Sequence, residues 1–445
     1  MTRQAKGGKS ILLMAVESSY ATRPETPTVY KLPFNKNSLG GKQGLIESNT
    51  ITGTRNPTEP GRGQIDPGGA IEAPLDVRNS GLWLLKMFGA PTTTNVSTAG
   101  TLTGATGVTT TIGTWTAVSD GAFKVAIDGG AATAVGPIDF STGVTTMANV
   151  ASKIQAAVRA VATGGFTLVT VAWDETNTRF VITSGTTGAS SAVSNLTAPA
   201  SGTNISGTGF MKCTAGTLAA GKTLYQHVFK VGDDMPSATF EKGFTDIGKY
   251  FRTPGSKIGK WSMSLAVGNN ELVQNFDVMA STETIETSAL SATPTELALA
   301  KFNNFQGTVS EGGSANTDIR KFDLNVDFGL DGDTFALNGL ASRTDITEGL
   351  VQVTGSIETM FKDTALLEKA ANGTASSLRA SVTSGDHSLA IDIPEVIFER
   401  TSPGVDGPKG MLATLAYRGY YKDNADATAI KVTLINDVTE YALPA

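Results

Sequence analysis

The sequence predicts a mainly β protein, an antiparallel sandwich or barrel with a flanking helix, into which a small ββαββ module is inserted. Gly accounts for 50 of the 445 residues and charged residues for only 17%, a profile typical of short strands joined by tight turns. Short alternating segments follow one another after about residue 218. Residues 95–217 differ in composition, so we expect one discontinuous domain, 1–94 and 218–445, interrupted by this module.

The first 75 or so residues are predicted to be largely irregular. They mix short apolar pieces with Gly, Pro, Asn and Asp, most clearly from 35 to 75. Such a segment buries little surface on its own, and a long loop in a folded protein is usually functional. We therefore expect residues 1–75 to include an arm and a loop that contact other molecules.

A helix is predicted next, with its apolar face in LWLLKMF, residues 82–88. Asn79 or Ser80 can cap its start and Gly89 can end it.

The 95–217 region contains a complete small fold between low-complexity joints rich in Thr, Gly, Ala and Ser. A hairpin turns at Asp128–Gly129 in FKVAIDGGAATAV. MANVASKIQAAVRAVA has the pattern of an amphipathic helix, and FTLVTVAWDETNTRFVITSG that of a second hairpin. The region is therefore predicted to be an inserted β-rich surface module.

The remainder is predicted to be almost entirely strand, with one helix at DTALLEKAANG that stops at Gly373. The predicted strands are LYQHVFKV, KWSMSLAV, LVQNFDVM, KFDLNVDF, TFALNGL, LVQVTGSIETMF, LAIDIP, EVIFER, MLATLAYRGYY and AIKVTLIN. Many strands and few helices favour an antiparallel sandwich or barrel.

KFDLNVDF, residues 321–328, shows the clearest alternation. Its four apolar side chains point to one face, and Lys321, Asp323, Asn325 and Asp327 point to the other. Asp323 and Asp327 are thus candidates for a solvated acidic face.

Composition and charge exclude several classes of function. The net charge is -6 with a pI near 5.2, and no basic patch suited to gripping DNA is visible. Cys213 is the single cysteine, which rules out an intrachain disulfide and a cysteine-based zinc site. The apolar run Ile11–Val16 is too short for a secretory signal, and no run reaches the roughly 20 residues of a membrane span. We expect a soluble protein made in a cytoplasm and not exported by the usual route.

GTLAAGKT, residues 216–223, matches the phosphate-binding loop pattern. That chemistry needs a helix after the loop, whose N-terminus holds the phosphates. The segment that follows, LYQHVFKV, alternates like a strand, so we interpret the motif as a turn at the end of the module.

DFGLDGD, residues 327–333, resembles the start of a calcium loop. An EF-hand beginning at Asp327 needs Asp or Asn at 329 and Glu at 338. Gly329 and Asn338 stand there instead, and we predict a solvated turn.

The other chemically capable residues are predicted to be structural. They are His227, His387, Cys213 and the pair Asp233–Asp234. None has a visible catalytic partner in the sequence, so we assign no catalytic, cofactor-binding or metal-binding residue and expect a protein that is not an enzyme.

Three N-terminal stretches and one C-terminal stretch carry a family resemblance. They are LLMAVESSYATRPETPTVYKLPF, LIESNTITGTRNPTEPGRG, GGAIEAPLDVRNSGLWLLKMFGAP and LAIDIPEVIFERTSPGVDGPKGMLATLAYRGYYKDNADATAIKVTLIN. Together with the strands between them, they resemble the tail tube proteins, or major tail proteins, of bacteriophages with long non-contractile tails. The resemblance covers about 1–94 and 218–445.

The resemblance implies a β-sandwich or small barrel whose copies form stacked rings of six. Neighbouring sheets would line a lumen, and loops and terminal arms would reach the next ring. It implies partnership with tape measure, tail terminator and tail tip proteins, no cofactor, and transient passage of double-stranded DNA without specific binding. The protein would be assembled in the host cytoplasm and reside in the virion tail.

We expect a net negative or neutral lumen, with Asp323 and Asp327 on either a lumen-facing or another solvated face. An alternative function, favoured by the Thr- and Gly-rich composition, is a bacterial surface or secreted adhesin built of β-modules. The lack of an export signal argues against it. A nucleotide-dependent enzyme using GTLAAGKT is a third hypothesis, disfavoured because a strand pattern follows the motif.

Overall fold

A computed structural model describes residues 4–337, 339–405 and 407–443. Contacts divide the chain into two compact units, one formed by 1–94 and 226–445 and the other by 95–225. We call them the main unit and the module.

Short strands dominate both units, with a few helices between them. Up to residue 95 the elements are β1 (Ser10–Val16), β2 (Val29–Lys31), β3 (Lys36–Asn37), β4 (Gly40–Ile46), β5 (Gly61–Pro74), α1 (Asn79–Phe88) and β6 (Thr92–Asn95). The module contains β7 (Thr101–Thr103), α2 (Ile112–Thr116), β8 (Gly121–Val125), β9 (Thr133–Ile138), α3 (Met147–Arg159), β10 (Thr170–Asp174), β11 (Arg179–Thr183), β12 (Thr203–Asn204) and β13 (Thr217–Ala219).

The chain then continues through the rest of the main unit. Its elements are β14 (Tyr225–Lys230), β15 (Ala238–Phe244), β16 (Lys249–Ala266), β17 (Val273–Met279), β18 (Thr284–Glu286), β19 (Thr295–Glu296), β20 (Gly307–Glu311), β21 (Ser314–Ala315), β22 (Ile319–Asp327), β23 (Gln352–Met360), α4 (Ala365–Asn372), β24 (Ser376–Ser384), β25 (His387–Phe398), β26 (Leu412–Gly419) and β27 (Lys431–Asn436). Short 3-10 turns lie at Gly7–Lys9, Gly164–Phe166 and Asn304–Gln306.

The main unit is built around an antiparallel sheet in the order β5–β17–β16–β22–β23–β26, which we call the long sheet. A second layer runs β20–β24–β25–β27. Apolar residues of both layers, such as Trp261, Phe322 and Ile391, belong to one buried core. This arrangement confirms the predicted mainly β sandwich, because the alternating strands of both layers contribute their apolar sides to the same core.

Strand β16 links the long sheet to a further group of strands. Its first half pairs with β15 and β18, and its second half pairs with β17 and β22. A register shift between Ile258 and Lys260 and a positive φ of 63° at Gly255 mark the change. Such irregularities let one strand bend between sheets.

Helix α1 is buried along its whole length. Trp83 stacks on Phe276 and Phe240 with ring centroids 4.3 and 5.5 Å apart. The helix ends at Gly89, as predicted, with a φ of 80°.

The predicted cap of α1 is wrong. Neither Asn79 nor Ser80 caps it; buried Asp76 does, accepting hydrogen bonds from the Arg78 and Asn79 N–H groups at 2.9 and 2.5 Å. The other carboxylate oxygen of Asp76 accepts the Ala300 N–H at 2.5 Å. The carboxylate thus joins the helix start to a distant loop, a contact that local sequence spacing does not reveal.

The prediction that the first 75 residues are largely irregular is also wrong. β1 pairs with β15 and β2, and β5 pairs with β17 over Gly68–Pro74. β5 carries Gly and Pro, yet both β1 and β5 obtain hydrogen-bond partners from segments about 200 residues away. The predicted strand TFALNGL is wrong as well. Its described residues form one isolated bridge, Phe335 with Arg343, and bends within a long β22–β23 connection, and Asn338 lies outside the described residues.

The module has the predicted ββαββ order β8–β9–α3–β10–β11. Asp128 and Gly129 both have positive φ, which suits the predicted hairpin turn. Its own buried core surrounds Trp115, which contacts Phe140, Phe180 and Phe210 edge-on. The compact unit spans 95–225, and β13 pairs with β7 within it.

Candidate functional site

Asp323 and Asp327 lie on the same face of β22, in the middle of the long sheet. Asp323 is opposite Ser264 on β16 and Ser356 on β23, and Asp327 is opposite Lys260 and Gln352. Both carboxylates therefore stand on the side of the sheet that faces away from the core.

Both carboxylates are held in ionised form by their neighbours. Burial alone would raise the pKa of Asp323, but hydrogen bonds from Lys321, Ser264 and Ser356 outweigh it and lower the pKa below its usual value. Burial likewise opposes a lowered pKa at Asp327, where the Gly329 N–H and Lys260 prevail. The charges thus persist at neutral pH.

These two residues belong to a continuous polar surface, which we call the polar face. It comprises the outward side chains of five strands: Asn275 and Asp277; Lys260, Ser262 and Ser264; Lys321, Asp323, Asn325 and Asp327; Gln352, Thr354, Ser356 and Glu358; Thr414, Ala416 and Arg418. Small hydroxyl and amide groups occupy its middle, and a shallow depression of about 490 Å³ lies over them.

The polar face is close to neutral, with three basic and four acidic side chains among those residues. Lys260 contacts Asp327 at 3.0 Å and Lys321 contacts Asp323 at 2.8 Å. Arg418 contacts Glu399, beyond the end of β25, at 3.0 Å. Each basic side chain of this surface therefore has a carboxylate partner within the same chain.

Sequence reasoning assigned the four β22 residues of this surface, from Lys321 to Asp327, to one side of their strand and missed the others. KWSMSLAV and LVQVTGSIETMF carry the same alternation, which could have assigned Ser262, Ser264 and Thr354 to one side of their strands. Their alignment with Asp323 depends on strand order and register, which a single sequence does not specify.

GTLAAGKT does not form a phosphate-binding loop. Thr217–Ala219 form β13, antiparallel to β7, and the next element is the strand β14. A helix N-terminus, which would supply the N–H groups for phosphate, is therefore missing after this segment.

Asp327–Asp333 lead from β22 into the long connection. Within the described ranges, no group of three or more His, Cys, Asp or Glu side chains is arranged to hold a metal ion.

His227 is a buried structural residue. Its Nδ1 lies 2.9 Å from the Thr93 hydroxyl, and its Nε2 lies 2.9 Å from the Val438 carbonyl and 3.2 Å from Asn436 Oδ1. Burial lowers its pKa, although the Val438 and Asn436 contacts oppose that shift.

The remaining candidates are dispersed. His387 begins β25, and Asp233 and Asp234 lie exposed in the β14–β15 loop. Cys213 is buried in the module, which raises the pKa of its thiol to about 12. A thiol of that kind is inert as a nucleophile.

The helices within the described residues are all too short or too polar to span a bilayer. A comparison with curated proteins finds no match. The family model for phage tail tube proteins, in contrast, matches residues 7–419. Because that match covers most of the chain, including the long sheet and its polar face, the protein belongs to the phage tail tube protein family.

Proposed function

We propose that this chain self-assembles into stacked hexameric rings that form the tail tube through which the phage genome is delivered. The observation that carries the proposal is the polar face, a surface spanning five adjacent strands with its basic groups paired. In the ring, the long sheets of neighbouring copies would join edge to edge with their polar faces toward the lumen.

The charge of this surface suits a conduit. DNA carries about one negative charge per 1.7 Å of helix axis, and each phosphate neutralised by Lys or Arg adds affinity. Lys260 and Lys321 are already neutralised by Asp327 and Asp323, so they have little charge to offer a phosphate. Repulsion from the remaining carboxylates is screened within about 8 Å at physiological salt. A lumen of this kind would let DNA pass without holding it.

The role is structural and not enzymatic, with no cofactor. The partners would be further copies of the chain, the tape measure, the tail terminator and the tail tip proteins. The module would decorate the outside of the tube, and assembly would take place in the host cytoplasm before the tail joins the virion.

Electron microscopy of the purified protein tests this function. We expect rings and tubes with sixfold symmetry, and tube coordinates in which Asp and Glu equal or outnumber Lys and Arg among lumen-facing side chains. A protein that stays monomeric at high concentration with a nucleating tail tip complex present would contradict self-assembly. Lumen walls dominated by Lys and Arg would contradict the assignment of the polar face.

A further inference from the structure

A two-stranded ribbon, residues 40–67, leaves the long sheet at one end. β17 ends at Met279 opposite Gly68, but β5 continues back to Gly61 with only β4 beside it in the sheet. At about 3.3 Å per residue, these seven residues project roughly 23 Å. The base is fixed by the Ile65 N–H, which donates to the Ala341 carbonyl at 2.9 Å, and by the Asp66–Arg343 ion pair.

The ribbon exposes apolar side chains at its outer part. Every residue from 41 to 57 is exposed. Leu45, Ile46 and Ile51 are 68%, 59% and 93% exposed. Large apolar side chains clustered on a projecting segment indicate a contact with another molecule.

The opposite end of the long sheet carries a second apolar surface. β16 ends there at Ala266 and β23 at Met360. Val267 and Phe305 are 73% and 78% exposed, and Met360 is 37% exposed. The Ala266 N–H donates to Asn304 Oδ1, which places Phe305 beside the strand end. We call Val267, Phe305 and Met360 the far patch.

We propose that the ribbon of one copy docks through Leu45, Ile46 and Ile51 onto the far patch of the next copy along the tube. This inference rests on the proposed function and adds the surface that receives the ribbon. From Lys257 to Ala266, β16 spans roughly 30 Å at 3.3 Å per residue. The ribbon and the far patch of one copy therefore lie too far apart to contact each other.

The positions of the two surfaces indicate that the far patch receives the ribbon of another copy. A contact between unlike surfaces at opposite ends repeats without closing and builds an open stack, whereas a ribbon-to-ribbon contact would stop after two rings. A groove of about 780 Å³ near Leu350 and Tyr421 is also partly apolar. It lies at the ribbon's own end of the sheet, beside Phe328 and Gln352, so in the receiving copy it is at the end away from the incoming ribbon.

Cross-linking tests the contact directly. Ile51→Cys and Phe305→Cys are combined in a Cys213→Ser background, assembled, and treated with a short thiol cross-linker. We expect a ladder of covalently linked copies on a denaturing gel after assembly, and no ladder before it. The matched control pairs Ile51→Cys with Leu350→Cys, two exposed positions at the same end, and should give no ladder. A ladder from the control alone, or assembled tubes that give no ladder with either pair, would overturn the assignment.

Mixing two assembly-defective variants tests whether the ribbon of one copy docks on the far patch of another. The ribbon variant carries Leu45→Ser, Ile46→Ser and Ile51→Ser; the patch variant carries Val267→Ser and Phe305→Ser. All five positions are exposed, so thermal melting should match that of the unsubstituted chain. Each variant alone should give single rings, and a mixture should give stacks of two rings, because only the ribbon of one and the patch of the other remain intact.

The outcomes separate the two proposals. A patch variant that builds tubes of normal length would overturn the docking assignment while leaving the tube function intact. Failure of the unsubstituted chain to form rings or tubes would instead contradict the proposed function.

Discussion

The module and the ribbon both interrupt the strands of the main unit, but they differ in how their apolar residues are used. The module buries a core around Trp115, and its strands pair with one another. The ribbon has no core, and its Leu45, Ile46 and Ile51 remain in solvent. We therefore expect the module to fold for itself, whereas under the proposed docking a neighbouring copy covers the ribbon.

The largest effect on stability is expected from removing a large buried side chain from one core at a time. Trp115→Ala should destabilise the module by about 3–5 kcal/mol, as large-to-small core substitutions do, and leave the main unit unchanged. Trp261→Ala, its matched control, should do the reverse. Calorimetry should resolve two transitions, each moved by one substitution; one common transition lowered by both would show that the module does not fold for itself.

Hydrogen exchange should distinguish the two ends of β5. In the free subunit we expect fast exchange at 41–57, and slow exchange at 68–74, where β5 pairs with β17. This narrows the segment predicted from the sequence to be irregular, 35–75, to residues 41–57. Assembly should slow exchange at 41–57, because docking removes that segment from water. Strong protection of 41–57 in the monomer would contradict the role of the ribbon.

A smaller effect is expected on the polar face. Asp323→Asn removes an ion pair with Lys321 and weakens the hydrogen bond from Ser356, and should cost about 1 kcal/mol at pH 7. Because the folded-state pKa of Asp323 is lowered, its contribution is present above the unfolded pKa of about 3.9 and is lost as pH falls through the folded value. Denaturant titrations should show the two proteins converging toward pH 3; a constant difference would refute this linkage.

Removal of the module should have little effect on the main unit. The Val96 N–H donates to the Leu224 carbonyl at 2.9 Å, so the two ends of the module are adjacent and a short Gly/Ser linker can replace 97–223. We expect the shortened chain to fold and build tubes. Insoluble protein, or folded protein without tubes, would show that the module is needed.

The last prediction is that the protein does not bind nucleotide. Calorimetry with ATP and magnesium should give no heat of binding, since β13 and β14 replace the strand–loop–helix arrangement that phosphate needs. Micromolar binding that disappears in Lys222→Ala would contradict this.

Local patterns predicted much of the secondary structure. The ββαββ order, the strands at KFDLNVDF and AIKVTLIN, and the helix stop at Gly373 follow from alternation, amphipathic spacing and turn chemistry. β1 and β5, whose partners lie about 200 residues away, were not predicted as strands. β24 and the first half of β16 were also missed, although each pairs with a strand adjacent to it in the chain.

Buried charges were also beyond the reach of sequence reasoning. Glu17 accepts hydrogen bonds from the Ser237 and Thr239 hydroxyls, both at 2.6 Å. Lys86 donates to the Ser237 carbonyl at 3.1 Å, and burial lowers its pKa to about 8 despite Glu17 nearby. A charged residue is buried only where such partners converge, and that convergence brings together segments far apart in the chain.

The amino-acid sequence was enough to establish that the chain is mainly β, that its strands have one apolar and one polar side, and that Asp323 and Asp327 share the polar side. Side-chain alternation has a period of two residues, so neighbouring residues along the chain carry that information. The tertiary structure was needed to establish that Ser264 and Ser356 flank Asp323, that Asp76 caps α1, and that β5 leaves the sheet at Gly68. Those features depend on strand order and register, which arise from pairing between segments hundreds of residues apart.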